Sequence, residues 1–124
     1  MNTLSACILF FSFFNGIDPK LTEAIISVES SGKVFAVGSS HGEIGLLQIR
    51  PRYSKFTKRQ LFQSCTNVME GTEILGKLKK DCKLCIDRIW VNEYNLGRSG
   101  AKKLKHPSLW KYHKKVIAKL ENPN

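Results

Sequence analysis

Apolar positions fall into two regimes along this chain. From Leu4 to Phe14 they are almost continuous, and no charged residue occurs before Asp18. From Leu21 onward they recur with helical spacing. Leu21, Ala24, Ile25 and Val28 stand at i, i+3, i+4 and i+7, which marks one buried stripe. Asp18 can cap free backbone N–H groups, Pro19 starts a helix without leaving an N–H unpaired, and Ser31-Gly32 stop it, so a helix is predicted over 18–30.

The pattern then loosens. Residues 33–49 mix β-branched residues with glycines and predict a short irregular hairpin or loop, closed by Pro51, which disfavours helix at Arg50. A short helix is expected around Lys58–Phe62. A longer one is expected from Asn67 to Lys80, with Val68, Leu75 and Leu78 on one side. Gly71 and Gly76 weaken helix propensity there and imply close approach of a neighbour. A further helix over 84–94 would bury Ile86, Ile89 and Trp90, and Gly97 and Gly100 would form a turn. Ser108 would cap a last helix with Leu109, Tyr112, Val116 and Leu120 facing inward.

Composition narrows this picture. A chain of 124 residues, 42% hydrophobic and 24% charged, supports one globular domain with a single small core. A formal charge of +10 favours acidic partners, among them nucleic acid, anionic lipid and acidic wall polymers. The basic stretches lack the interleaved stacking aromatics of a nucleic-acid binder, so no nucleic-acid partner is expected.

The Leu4–Phe14 run is too short to span a bilayer but suits the hydrophobic region of an export signal. No Lys or Arg precedes it and no A-x-A cleavage pattern follows. Residues 1–16 are therefore expected to be a signal peptide or N-terminal hydrophobic segment, with a first helix lying on the domain as the alternative. The domain proper would occupy 17–120 and a tail 121–124.

Cys82-x-x-Cys85 is a single pair with no histidine nearby, a poor zinc signature, so neither a metal nor another cofactor is expected. Loss of the leader would leave Cys65, Cys82 and Cys85. A bridge from Cys65 to Cys82 or Cys85 would tie two helices together, and the pairing stays open.

Glu29 lies one turn beyond Ile25 and Ile26, at the end of an apolar helix and under a glycine-containing loop. Such surroundings favour a carboxyl that holds its proton, the property of a general acid. The same residues carry a resemblance. Glu29-Ser30 followed by Gly45-Leu46-Leu47-Gln48-Ile49 resembles the E-S and G-L-M-Q motifs of soluble lytic transglycosylases. Asn67 to Leu78 resembles that family's N-x-x-x-G-x-x-x-L helix, Glu93 to Gly97 its A-Y-N-x-G turn, and Tyr112 to Val116 its closing Y-x-x-x-V. More distantly, the chain resembles goose-type lysozymes.

The resemblance implies a mainly α, lysozyme-like α+β fold, a compact helical domain with a short irregular hairpin or loop over the active site. It implies cleavage of the β-1,4 bond between N-acetylmuramic acid and N-acetylglucosamine in peptidoglycan, with formation of a 1,6-anhydro ring. Glu29 would act as acid and then base. Gln48, Ser39, Tyr94, Asn95 and Tyr112 would line the glycan cleft, with Ser40 an alternative to Ser39. Glu43 is a possible second carboxylate, which would turn the reaction into lysozyme-type hydrolysis. A non-catalytic basic module binding wall polymer or nucleic acid is the rival from another class. Small enzymes of this kind accompany secretion or conjugation machines and phages, so export to the periplasm or cell envelope, or association with a phage, is expected. No stable membrane insertion is expected once the leader is removed. His41, His106 and His113 show no ligand spacing and are expected at the surface.

Overall fold

A computed structural model describes residues 1–81, 94 and 111–123. Five α-helices are present among them: α1 (Thr3–Phe14), α2 (Pro19–Ser30), the single turn α3 (Lys58–Leu61), α4 (Ser64–Asp81) and α5 (Lys111–Glu121), with a 3-10 turn at Pro51–Tyr53. The helix expected over 84–94, the turn at Gly97–Gly100, Cys82, Cys85 and Ser108 lie outside the described residues.

The local signals for α2 act as the sequence implies. Asp18 accepts a hydrogen bond from the Lys20 N–H at 2.9 Å, Pro19 occupies the first turn, and Ser31 ends the helix in the left-handed region at φ 55°. Leu21, Ala24, Ile25 and Ile26 are buried. α5 turns Tyr112 and Val116 inward as expected. It also buries His113, which corrects its expected surface position: the inward arc of α5 is wider than the i, i+4 stripe alone.

The N-terminal run forms a helix that lies against both α4 and α2. Ile8 and Ser12 are buried, and the hydroxyls of Ser12 and Thr22 share a hydrogen bond of 2.7 Å. Asn15 Nδ2 donates to Thr72 Oγ1 at 3.0 Å. Cys7 and Cys65 form a disulfide between α1 and α4. Cys65 is thus bridged to the N-terminal helix, and not to Cys82 or Cys85 as the sequence reading considered. Gly76 allows this arrangement, because a Cβ there would stand 2.7 Å from the Asn15 carbonyl oxygen.

The expected α+β character is not found. The described residues form an all-α domain with no β-strand or sheet, and the loop over the site holds only isolated bridges, Val37 with Ile44 and Ile44 with Ile49. Positive φ at Gly42, Gly45 and Gln48 bends the chain away from an extended path. Side chains also take up backbone groups that a ladder would use. Asn67 Nδ2 donates to the carbonyls of Ile44 and Leu61, both at 2.8 Å, and Asn67 Oδ1 accepts the Leu47 N–H at 2.8 Å. A compact coil stapled to α4 replaces the hairpin.

Candidate active site

Two motif pairs hold this coil against α4. Gly45 sits at φ 77°, and a Cβ on it would come within 2.4 Å of Asn67 Nδ2. Leu47 is fully buried, and its Cδ1 would be 2.3 Å from a Cβ on Gly71. The glycine of each motif therefore makes room for the key side chain of the other. This places Gln48 at the rim of a cleft of about 510 Å³. One side of the cleft is formed by Gln48, Arg50, Tyr53 and Ser54, the other by Glu70, Glu73 and Lys77 of α4, with Tyr94 contributing to the lining.

Gln48 is held through its side-chain nitrogen, which donates to the carbonyls of Gly45 (3.0 Å) and Ala36 (3.3 Å). The Tyr94 hydroxyl donates to the Leu47 carbonyl, so Tyr94 reads the backbone of the same coil. Burial pushes the Tyr94 hydroxyl well above the ordinary tyrosine value, and the charges of Glu29 and Glu70 push it further in the same direction.

Glu29 is partly buried in the last turn of α2 and engaged with its neighbours. Its carboxylate acts on two tyrosines, Tyr94 and Tyr112. Burial raises the Tyr112 hydroxyl well above the ordinary value, with the Glu29 charge and then Tyr94 adding to the effect. The Tyr112 hydroxyl is buried without a hydrogen-bond partner of normal geometry, so the Glu29 carboxylate acts on it through its charge. Three sequence-predicted residues, Glu29, Tyr94 and Tyr112, thus converge. They bring one carboxyl together with two buried phenols that keep their protons, of which Tyr94 spends its hydrogen bond on the Leu47 carbonyl.

Glu43 accepts hydrogen bonds from the His41 N–H (2.9 Å) and Ser40 Oγ (3.3 Å), and His41 Nδ1 lies 3.9 Å from it. Desolvation pushes its carboxyl up, but the backbone N–H groups of Glu43 and His41, the Ser40 hydroxyl and the His41 charge outweigh that and hold it below the usual carboxylate range. It is an ionised staple of the loop, close to Gln48: a Cβ on Gly38 would stand 2.5 Å from Glu43 Oε1 and 2.8 Å from Gln48 Oε1. Ser39 is exposed at the turn of the same loop, and Asn95 lies outside the described residues.

The sequence reading did not single out Glu70. This glutamate is buried on α4, accepts a hydrogen bond from the Ser54 hydroxyl, lines the cleft and acts electrostatically on Tyr94. Its signal was available: Asn67, Glu70 and Gly71 stand at i, i+3 and i+4, so a carboxylate shares the helix face that carries the motif. Among the described residues no group of three or more His, Cys, Asp or Glu is arranged to hold a metal ion.

A family model described as the transglycosylase SLT domain matches residues 8–117, which includes most of α1. No curated protein and no solved structure gives a significant match to the chain.

Proposed function

Because this chain belongs to the transglycosylase SLT domain family, we propose that it is a peptidoglycan lytic transglycosylase acting through Glu29. The family assignment supports an enzymatic, peptidoglycan-related activity. The observation that carries the finer reading is the convergence of Glu29 with Tyr94 and Tyr112 beside the Gln48 coil. Glu29 protonates the glycosidic oxygen between N-acetylmuramic acid and N-acetylglucosamine as the C1–O4 bond breaks. The muramyl 6-hydroxyl then bonds to C1, and its proton returns to Glu29. One carboxyl serves both steps and no water enters the product. In this reading Gln48 and Tyr94, which line the cleft, contact the glycan, and Tyr112, on which the Glu29 charge acts, supports the acid.

Hydrolysis by Glu29 with Glu43 is the second reading, favoured by the ionised state of Glu43 and its position beside Gln48. The Glu43 oxygens are already engaged by loop donors, which weighs against it. The cell envelope is the proposed site of action. The Cys7–Cys65 disulfide supports an oxidising compartment, and a charge of +10 supports retention on an anionic wall. A role in opening the wall locally, for a secretion or conjugation machine or for a phage, belongs to the same reading.

Digestion of purified peptidoglycan followed by mass spectrometry tests the reading. Muropeptides ending in 1,6-anhydromuramic acid support it. Reducing ends move the reaction to hydrolysis, and intact glycan bound by folded protein moves the chain to the binding class.

A further inference from the structure

The outer face of α1 remains unpartnered in a helix that is apolar on all sides. Ile8, Phe11 and Ser12 turn toward the domain, while Ala6, Phe10, Phe13 and Phe14 look outward, the three phenylalanines with 62%, 69% and 77% of their surface accessible. Phe10 and Phe14 stack with ring centroids 6.1 Å apart, one helical turn from each other. With Met1 and Leu9 these residues line a shallow apolar depression. Neither acidic nor basic side chains occur within α1.

From this surface we infer that the domain docks on an anionic lipid bilayer through α1, which lies in the plane of the interface. The occupant follows from charge and length. A second copy of the chain carries the same +10 and is repelled, whereas an anionic surface is attracted. Lys79 Nζ donates to the Gly16 carbonyl at 2.7 Å, so a cation sits just past the end of α1 that carries Phe13 and Phe14, and Lys20 is exposed in the first turn of α2; of the acids nearby, Glu73 is paired with Lys77 and Asp18 is exposed. Twelve residues of helix reach about 18 Å, well short of the hydrocarbon core. Among the described residues no helix is long and apolar enough to cross a membrane. An interfacial helix needs an apolar face below and a polar cover above; here the domain itself is the cover. The Cys7–Cys65 bridge and the Ser12–Thr22 and Asn15–Thr72 hydrogen bonds hold α1 on the domain, so the aromatic face is fixed outward. No residue of α1 lines the cleft, and Glu73 stands between the two surfaces, bordering both the cleft and a pocket with Phe10 and Phe14.

The test is co-sedimentation of the full oxidised chain with vesicles of phosphatidylcholine alone or mixed equally with phosphatidylglycerol. The comparison is a variant carrying Phe10→Ser, Phe13→Ser and Phe14→Ser, whose thermal midpoint and circular dichroism report that the fold is intact. The expected result is partitioning onto the mixed vesicles that weakens with salt, and a loss on the order of a hundredfold in the variant. Unbound wild-type protein, or a variant that sediments equally well, overturns the proposal. A micromolar dimer dispersed by the triple substitution also overturns it, because the face is then a contact between copies. The readout is independent of glycan chemistry, so it stands or falls apart from the proposed reaction.

Discussion

Asn67 fills the space that a side chain at Gly45 would need, and its amide holds the carbonyls of Ile44 and Leu61 and the N–H of Leu47 at 2.8 Å each. One buried side chain on α4 therefore fixes the coil that carries Gln48. Replacing Asn67 by Ala takes that partner from the Leu61 carbonyl and the Leu47 N–H, at about 1–3 kcal/mol for each group that water cannot reach, while the Ile44 carbonyl keeps its bond from the Ile49 N–H. Asn67→Ala should lower the thermal midpoint strongly and reduce glycan cleavage with it. An unchanged midpoint in calorimetry would show that the coil holds itself.

Glu29→Gln keeps the shape of the side chain but cannot deliver and recover a proton. Turnover on peptidoglycan should fall below detection while circular dichroism and wall sedimentation stay at wild-type levels. Substantial residual cleavage would remove Glu29 from the centre of the mechanism.

Tyr94 and Tyr112 hold their protons more tightly in the folded chain than in the unfolded one, first through burial and then through Glu29. As pH rises past about 10, the unfolded chain releases these protons first, so stability is full below that point and declines above it. Tyr112→Phe removes one titrating group and should flatten the alkaline limb of a stability–pH profile. A limb as steep as that of the wild type would contradict the assignment.

The Cys7–Cys65 bridge closes a loop across 58 positions, and the chain-entropy relation assigns such a closure about 4 kcal/mol. Reduction, or Cys7→Ser with Cys65→Ser, should lower the urea midpoint by a corresponding amount and loosen α1 first. Hydrogen exchange in 3–14 reads this directly; unchanged protection there would show that its packing and the Ser12–Thr22 and Asn15–Thr72 hydrogen bonds hold α1 without the bridge.

Much of the candidate site was legible because its signals are local or depend on fixed spacing. The Asp18-Pro19 start and Ser31-Gly32 stop set α2 and bring Glu29 to its last turn. The glycines at 71 and 76 announced close approaches, and both are present, against Leu47 and Asn15. Tyr112 and Val116 followed from the helical stripe of α5. Glu70 escaped notice because a glutamate beside a motif glycine reads as solvent-facing until Ser54 is brought over it by the turn after Pro51.

The amino-acid order by itself determined the helices it could cap and pattern, the motif residues, and the family to which those motifs pointed. Hydrogen-bond caps and a 3.6-residue period act within a few residues, so they are written in the chain. Tertiary structure decided the rest. It paired Cys7 with Cys65, replaced the expected hairpin by a coil stapled through Asn67, buried His113, tied Glu43 into its own loop and left the α1 phenylalanines outward. Each of these depends on which groups meet across long stretches of sequence, and a pattern read along one line does not contain those distances.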